Sequence, residues 1–113
     1  MSSFRSLAPI LPTTDMARMQ AQYEALGFAV KVHTPGYGTA SRDGFNLHFE
    51  LVEAPVGPGA LYLAVSDADA LHAEWTTAGV GELTDLHDPG FGVWEAALVD
   101  ADGNILRFGS PLP

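Results

Sequence analysis

Two stretches share the pattern His-x-Pro-Gly-aromatic-Gly: His33-Thr34-Pro35-Gly36-Tyr37-Gly38 and His87-Asp88-Pro89-Gly90-Phe91-Gly92, 54 residues apart. Imidazoles ligate metals and hydrogen-bond to ligands, so His33 and His87 could converge on a metal or on a ligand. The alternative, preferred over a metal site, is a pair of exposed histidines beside turns at strand ends. Tyr37 and Phe91, each between glycines, have few local neighbours to bury them and offer flat faces for stacking. A second pair, His48 and Glu50, sits two residues apart on a strand-like run, which puts both on one face. Two ligands on one strand fall short of the three or so that a catalytic metal site uses. A half-buried, hydrogen-bonded histidine is therefore the preferred reading of His48. Nucleophilic chemistry has little support. Cysteine is absent, and Ser110 lies in no G-x-S-x-G elbow. There is no P-loop or G-x-G-x-x-G for phosphates.

Composition narrows the classes further. The chain has 113 residues, of which 47% are hydrophobic and 10% aromatic, enough for one compact domain with its own core. Fourteen acidic residues against five basic ones give a formal charge of −9. Nucleic-acid phosphates would be repelled by such a surface. A cationic ligand would be attracted to it, although acidity also serves plain solubility. No apolar run approaches a membrane span, and the first residues lack the long apolar core of a signal peptide. A cytoplasmic protein is the expectation.

These side chains must be held by elements, and the pattern of elements also repeats. Met16, Met19, Tyr23 and Leu26 form one helical stripe, with Thr13 or Thr14 as its cap and Gly27 as its stop. Ala68, Leu71, Trp75 and Ala78 form a second, capped by Ser66 or Asp67 and stopped by Gly79. Apolar strands precede the helices at Leu7–Leu11 and Leu61–Val65. Strands follow at Phe28–His33 and Val80–Leu86. Two more strand-like runs close each half: Thr39–Arg42 with Asn46–Val52, and Val93–Val99 with Ile105–Phe108. Asp43-Gly44 and Gly103-Asn104 are hairpin signals between them. Each half thus reads β-α-β-β-β, an α+β fold of two modules, about 4–53 and 60–110, joined by a Pro- and Gly-rich linker at 54–59. The hexapeptides connect the second and third strands, with Pro-Gly expected to make a type II turn whose glycine has positive φ. Strand alternation puts Trp94 and Ala96 on one face and Val93, Glu95 and Ala97 on the other. Whether Trp94 lines a groove or packs beneath a helix stays open, as it does for Tyr62. Trp75 belongs to the helical stripe and reads as core.

Two β-α-β-β-β modules ending in Asp100-Ala101-Asp102-Gly103-Asn104-Ile105-Leu106-Arg107-Phe108 resemble the vicinal oxygen chelate superfamily, which includes glyoxalases, extradiol dioxygenases and the fosfomycin and bleomycin resistance proteins. The runs Ala8–Leu11, Leu26–Phe28, His72–Trp75 and Asp102–Phe108 resemble its bleomycin-binding branch. The resemblance covers Phe4 to Gly109. It implies curved mixed sheets with helices outside, a homodimer whose first strand is exchanged, and grooves shared between subunits. It puts Tyr37 at the first of two positions whose aromatics stack on a planar antibiotic. Phe91 takes the second with a one-residue gap, and Gly92 or Trp94 takes it under another. Tyr62 is slightly favoured as groove-lining. The superfamily's enzymes carry a divalent metal on strand positions that fall here near Ala8, Ala60 or Leu61, and Arg107. A guanidinium cannot ligate a cation. The resemblance therefore implies a non-catalytic homodimer that sequesters a planar cationic antibiotic of bleomycin type, with no cofactor and no metal. The alternative is a metal-dependent lyase or dioxygenase of the same fold. A third reading is a non-catalytic domain for another metabolite or a protein.

Overall fold

The computed structural model describes residues 1–113, which form two compact units, Met1–Val56 and Gly57–Pro113. Each unit is one β-α-β-β-β module, and together they make an α+β protein with two four-stranded mixed sheets. No helix is long and apolar enough to cross a membrane.

In the first module β1 (Ile10–Thr13) leads into α1 (Met16–Ala25), followed by β2 (Ala29–Thr34), β3 (Tyr37–Arg42) and β4 (Phe45–Leu51). The sheet order is β1-β4-β3-β2, with β1 parallel to β4 and the other pairs antiparallel. The first strand begins later than the apolar pattern at Leu7–Leu11 predicts. Leu7 stays exposed, and the ladder starts where the Pro9 carbonyl accepts from the His48 N–H. Odd-numbered carbonyls face β4, since Thr13 accepts from Val52. Pro12 falls in the opposite phase, on an edge strand, where the amide hydrogen it lacks would point away from the ladder.

The helix cap differs from the sequence expectation. Asp15, not Thr13 or Thr14, accepts from the Arg18 N–H at 3.0 Å. Thr13 is buried two residues earlier, and its hydroxyl bonds the backbone of Asp15. The helix ends as predicted at Gly27, whose φ is 91°. Gly27 N–H reaches the Glu24 carbonyl and Phe28 N–H reaches that of Tyr23, the paired bonds of a Schellman motif. The accompanying apolar contact is aromatic: the Tyr23 and Phe28 rings lie 5.6 Å apart, and Phe49 approaches Tyr23 at 4.7 Å. Met16, Met19, Tyr23 and Leu26 are all buried, as their spacing requires. Asp43 and Gly44 both have positive φ, the two-residue turn that Asp-Gly predicts.

The second module repeats the plan: β5 (Ala60–Ala64), α2 (Ala68–Ala78), β6 (Glu82–Leu83), β7 (Val93–Val99) and β8 (Ile105–Pro111), in the order β5-β8-β7-β6. Asp67 caps α2 and Gly79 closes it with φ 67°. The Ala68 amide, left over at the helix start, donates to Ser110 of β8. Trp75 packs edge-on against Phe108 at 5.1 Å. The strand expected over Val80–Leu86 shrinks to two residues. At Thr84 the N–H still donates to the Ala97 carbonyl, but the Thr84 hydroxyl, not its carbonyl, takes the Ala97 N–H, and the next bridge is at His87 and Glu95. One extra residue intervenes there, a bulge that ends the regular ladder. Conversely β8 runs past the expected Phe108 to Pro111.

Asn104 is fully buried at the β7–β8 turn and explains the Gly-Asn pair. Its side chain donates to Asp100 at 3.0 Å and accepts from the Gly59 N–H at 2.9 Å, tying the turn to the start of β5.

Candidate ligand-binding site

Register fixes what each sheet presents on the face away from its helix. In the first module the helix side holds Leu11, Gly38, Ala40, Leu47 and Phe49, all buried. The other side carries Ile10, His48, Thr39 and Lys31 in one row and Pro12, Glu50 and Tyr37 in the next. Tyr37 and His48 are half-buried and bonded to each other, Oη to Nδ1 at 2.8 Å, with rings edge to face at 5.6 Å. Glu50 is exposed beside them. His33, two residues after Lys31 and just at the bulge between Val32 and Thr34, falls on the same side, where its Nε2 meets the Thr39 hydroxyl at 2.9 Å. Tyr37, Glu50, His48 and His33 are thus gathered on one sheet face.

The two hexapeptides have diverged in geometry. In the first, Pro35 and Gly36 alone form the turn, and Tyr37 is already the first residue of β3. It is no turn tip. Gly36 does not have positive φ, contrary to the type II expectation, while Gly90 does, at 99°. In the second copy the Asp88 side chain accepts from the Gly90 N–H, and Phe91 remains in the connection, 61% exposed. The last glycines differ too. A Cβ on Gly38 would press on Met16 and Met19 at 3.2 Å, so this glycine lets α1 approach the sheet. Gly92 has open space and a φ of 89°. His87 is exposed and bridges Glu95 through its backbone.

In the second module Trp94 falls on the helix side with Ala96 and Leu98. Its Nε1 donates to Asp69 in the first turn of α2 at 3.1 Å. That resolves the alternation: Trp94 packs toward α2. The opposite side carries Tyr62, Arg107 and Glu95. Glu95 is missing from the sequence-based candidates: alternation sets it on the face opposite Trp94 but leaves open which face that is. Its side chain is 4% exposed, and Oε2 accepts from Arg107 Nη2 at 2.7 Å and Nε at 3.3 Å. This hydrogen bond, then the Glu95 charge, holds the Arg107 guanidinium above its already high ordinary range. The guanidinium carbon lies 5.6 Å from the centre of the Tyr62 ring.

Solved structures place this architecture. A bleomycin resistance determinant encoded on the transposon Tn5 superposes with a TM-score of 0.86 at 25% identity, over 97% of this chain and 100% of that one. A bleomycin-binding protein from bleomycin-producing Streptomyces verticillus, complexed with copper(II)-bleomycin, gives 0.82 at 26%, over 99% and 100%. The fold is that of the vicinal oxygen chelate superfamily. A glyoxalase-related enzyme from Clostridium phytofermentans shares that fold at TM-score 0.84 and 21% identity, over 98% of each chain. No family model matches the chain, and no curated protein does.

The metal that the resemblance implies for the superfamily's enzymes does not fit these side chains. No group of three or more His, Asp or Glu is arranged to hold an ion. His48 spends Nδ1 on Tyr37, and the last strand offers a guanidinium already committed to Glu95.

Proposed function

We propose that the protein binds a planar, cationic antibiotic of bleomycin type without turning it over, in grooves at a homodimer interface. The likeness to bleomycin-binding proteins over nearly the full length of both chains carries this reading. The side chains fit it. Tyr37, on the sheet face away from α1, and the exposed Phe91 supply stacking surfaces. Each offset-stacked face adds about 0.5–1.5 kcal/mol beyond area burial. Micromolar binding needs about 8 kcal/mol, so groove burial and contacts from acidic groups to the cationic part must supply the rest. Glu50, beside Tyr37 in the ladder, is one such group. His33 and His48 line the same face, and His87 flanks Phe91. The metal-dependent lyase or dioxygenase alternative lacks a set of ligands on these strands.

Calorimetric titration with bleomycin tests the reading. Tyr37→Ala and Phe91→Ala should each weaken binding by about 1 kcal/mol or more, with unchanged folding checked by circular dichroism. The two losses should be non-additive if both rings hold one ligand. Absence of bleomycin binding by the unmodified protein would overturn it.

A further inference from the structure

Arg107 is the only Lys or Arg in Gly57–Pro113, a unit with nine Asp and Glu. It stands on β8, on the face away from α2, between Tyr62 of β5 and Ala97 of β7. Glu95 fixes it from within the sheet. One carboxylate oxygen takes two guanidinium N–H groups, while the other, Oε1, is buried with no partner. A buried acceptor without a donor costs stability, so this arrangement is more than a stabilising ion pair. What it achieves is placement. Gly109 contributes to it, because any Cβ there would collide with the Tyr62 hydroxyl. Ring and guanidinium form one platform.

A guanidinium has five N–H donors, and Glu95 uses two. Three remain, on a side chain 47% exposed. Its charge is already compensated, and the rest of the unit is acidic. An anion reaching the free N–H groups gains hydrogen bonds but finds no net positive field. A neutral carbonyl gains the same bonds without that repulsion.

We propose that the Tyr62–Arg107 platform, positioned by Glu95, is a subsite for the neutral carbonyl of a flat carboxamide and rejects carboxylates and phosphates of the same shape. This deepens the ligand-binding reading and rests on it only for the wider ligand: the free guanidinium N–H groups only donate, so Arg107 takes an uncharged, carbonyl-bearing part of it and not the cationic part, which has no acceptor to offer.

Three probes with a common ring test it: benzamide, benzoate and phenyl phosphate, titrated into the full chain at constant ionic strength. The readout is the Arg107 Nε–H resonance in 15N spectra, assigned by its loss in Arg107→Lys. Benzamide should bind more tightly than benzoate by about threefold or more, the discrimination a screened surface charge supplies. Phenyl phosphate should be weaker still. Glu95→Gln frees the guanidinium charge and should move the preference toward benzoate. Tyr62→Ala should weaken all three probes and keep their order. Equal or reversed affinities in the unmodified protein, or no response of Arg107 to any probe, would overturn the proposal. Should Glu95→Gln not fold, the unmodified protein and Tyr62→Ala still decide it. Bleomycin takes no part, so failure here and failure of the antibiotic reading are separate results.

Discussion

Tyr37 and His48 were read from the sequence as separate features, one a stacking ring and the other a satisfied histidine. They are partners, joined through Oη and Nδ1 at 2.8 Å. A phenol is a better donor than acceptor, so Tyr37 should donate to Nδ1 and leave the neutral His48 with its proton on Nε2. Long-range 15N correlation spectra should report that tautomer, and Tyr37→Phe should relax the preference. The same substitution should cost about 0.5–1.5 kcal/mol in urea unfolding, the net worth of one hydrogen bond. It keeps the ring, so bleomycin affinity should survive in Tyr37→Phe and fall in Tyr37→Ala. Equal losses in both would mean that the hydroxyl, and not the face of the ring, meets the ligand.

At the scale of elements, the repeated hexapeptide separates what sequence similarity can and cannot convey. Gly36 and Gly90 occupy matched places, yet only Gly90 has positive φ, and neither has a neighbour that a Cβ would strike. Gly36→Ala should therefore change stability by no more than about 0.5 kcal/mol, or raise it slightly by restricting the unfolded chain. Gly90→Ala should cost about 1–2 kcal/mol, because an L side chain resists that region. Thermal unfolding of the two variants side by side checks the contrast. Asn104→Ala should cost about 2 kcal/mol or more, since it removes the acceptor of the Gly59 N–H and one donor to the Asp100 carboxylate at a buried turn. The β-α-β-β-β order was legible because helical stripes such as Met16–Leu26 and turn pairs such as Asp43-Gly44 are local signals. The short β6 was not, because its bulge depends on Thr84 meeting Ala97 of another strand. The first strand was misplaced for a related reason: Leu7 is apolar, but the ladder is set by which carbonyls β4 meets. Among site residues, the shared face of His48 and Glu50 followed from their spacing of two, whereas Tyr37 did not, because its Pro-Gly-aromatic-Gly setting reads as turn and only the ladder to β4 makes it the first residue of β3. The Glu95–Arg107 pair did not, since a buried carboxylate and its cation lie on different strands, twelve residues apart.

The whole molecule brings in assembly and field. A groove shared between subunits requires a dimer, so sedimentation at micromolar concentration should give twice the 12.0 kDa chain mass. A monomer alone would remove the shared groove and leave each sheet face to bind by itself. Charge is divided unevenly along the chain. Met1–Val56 holds five acidic and four basic residues, while Gly57–Pro113 holds nine and one, so nearly all of the −9 resides in the second unit. A cationic ligand is drawn by that field before any contact forms, which raises the association rate more than it slows release. Salt screens such attraction over a Debye length of about 8 Å at physiological ionic strength. Stopped-flow measurements with bleomycin should show association slowing as salt is raised, while dissociation changes little, because stacking and burial hardly respond to salt. Paired variants locate the source. Asp85→Asn with Asp88→Asn, both exposed and in the second unit, should reduce the salt dependence of association. Glu24→Gln with Asp43→Asn, exposed in the nearly neutral first unit, should reduce it less. Equal effects of the two pairs would mean that the ligand senses total charge alone, and an association rate indifferent to salt would remove electrostatic steering from the account.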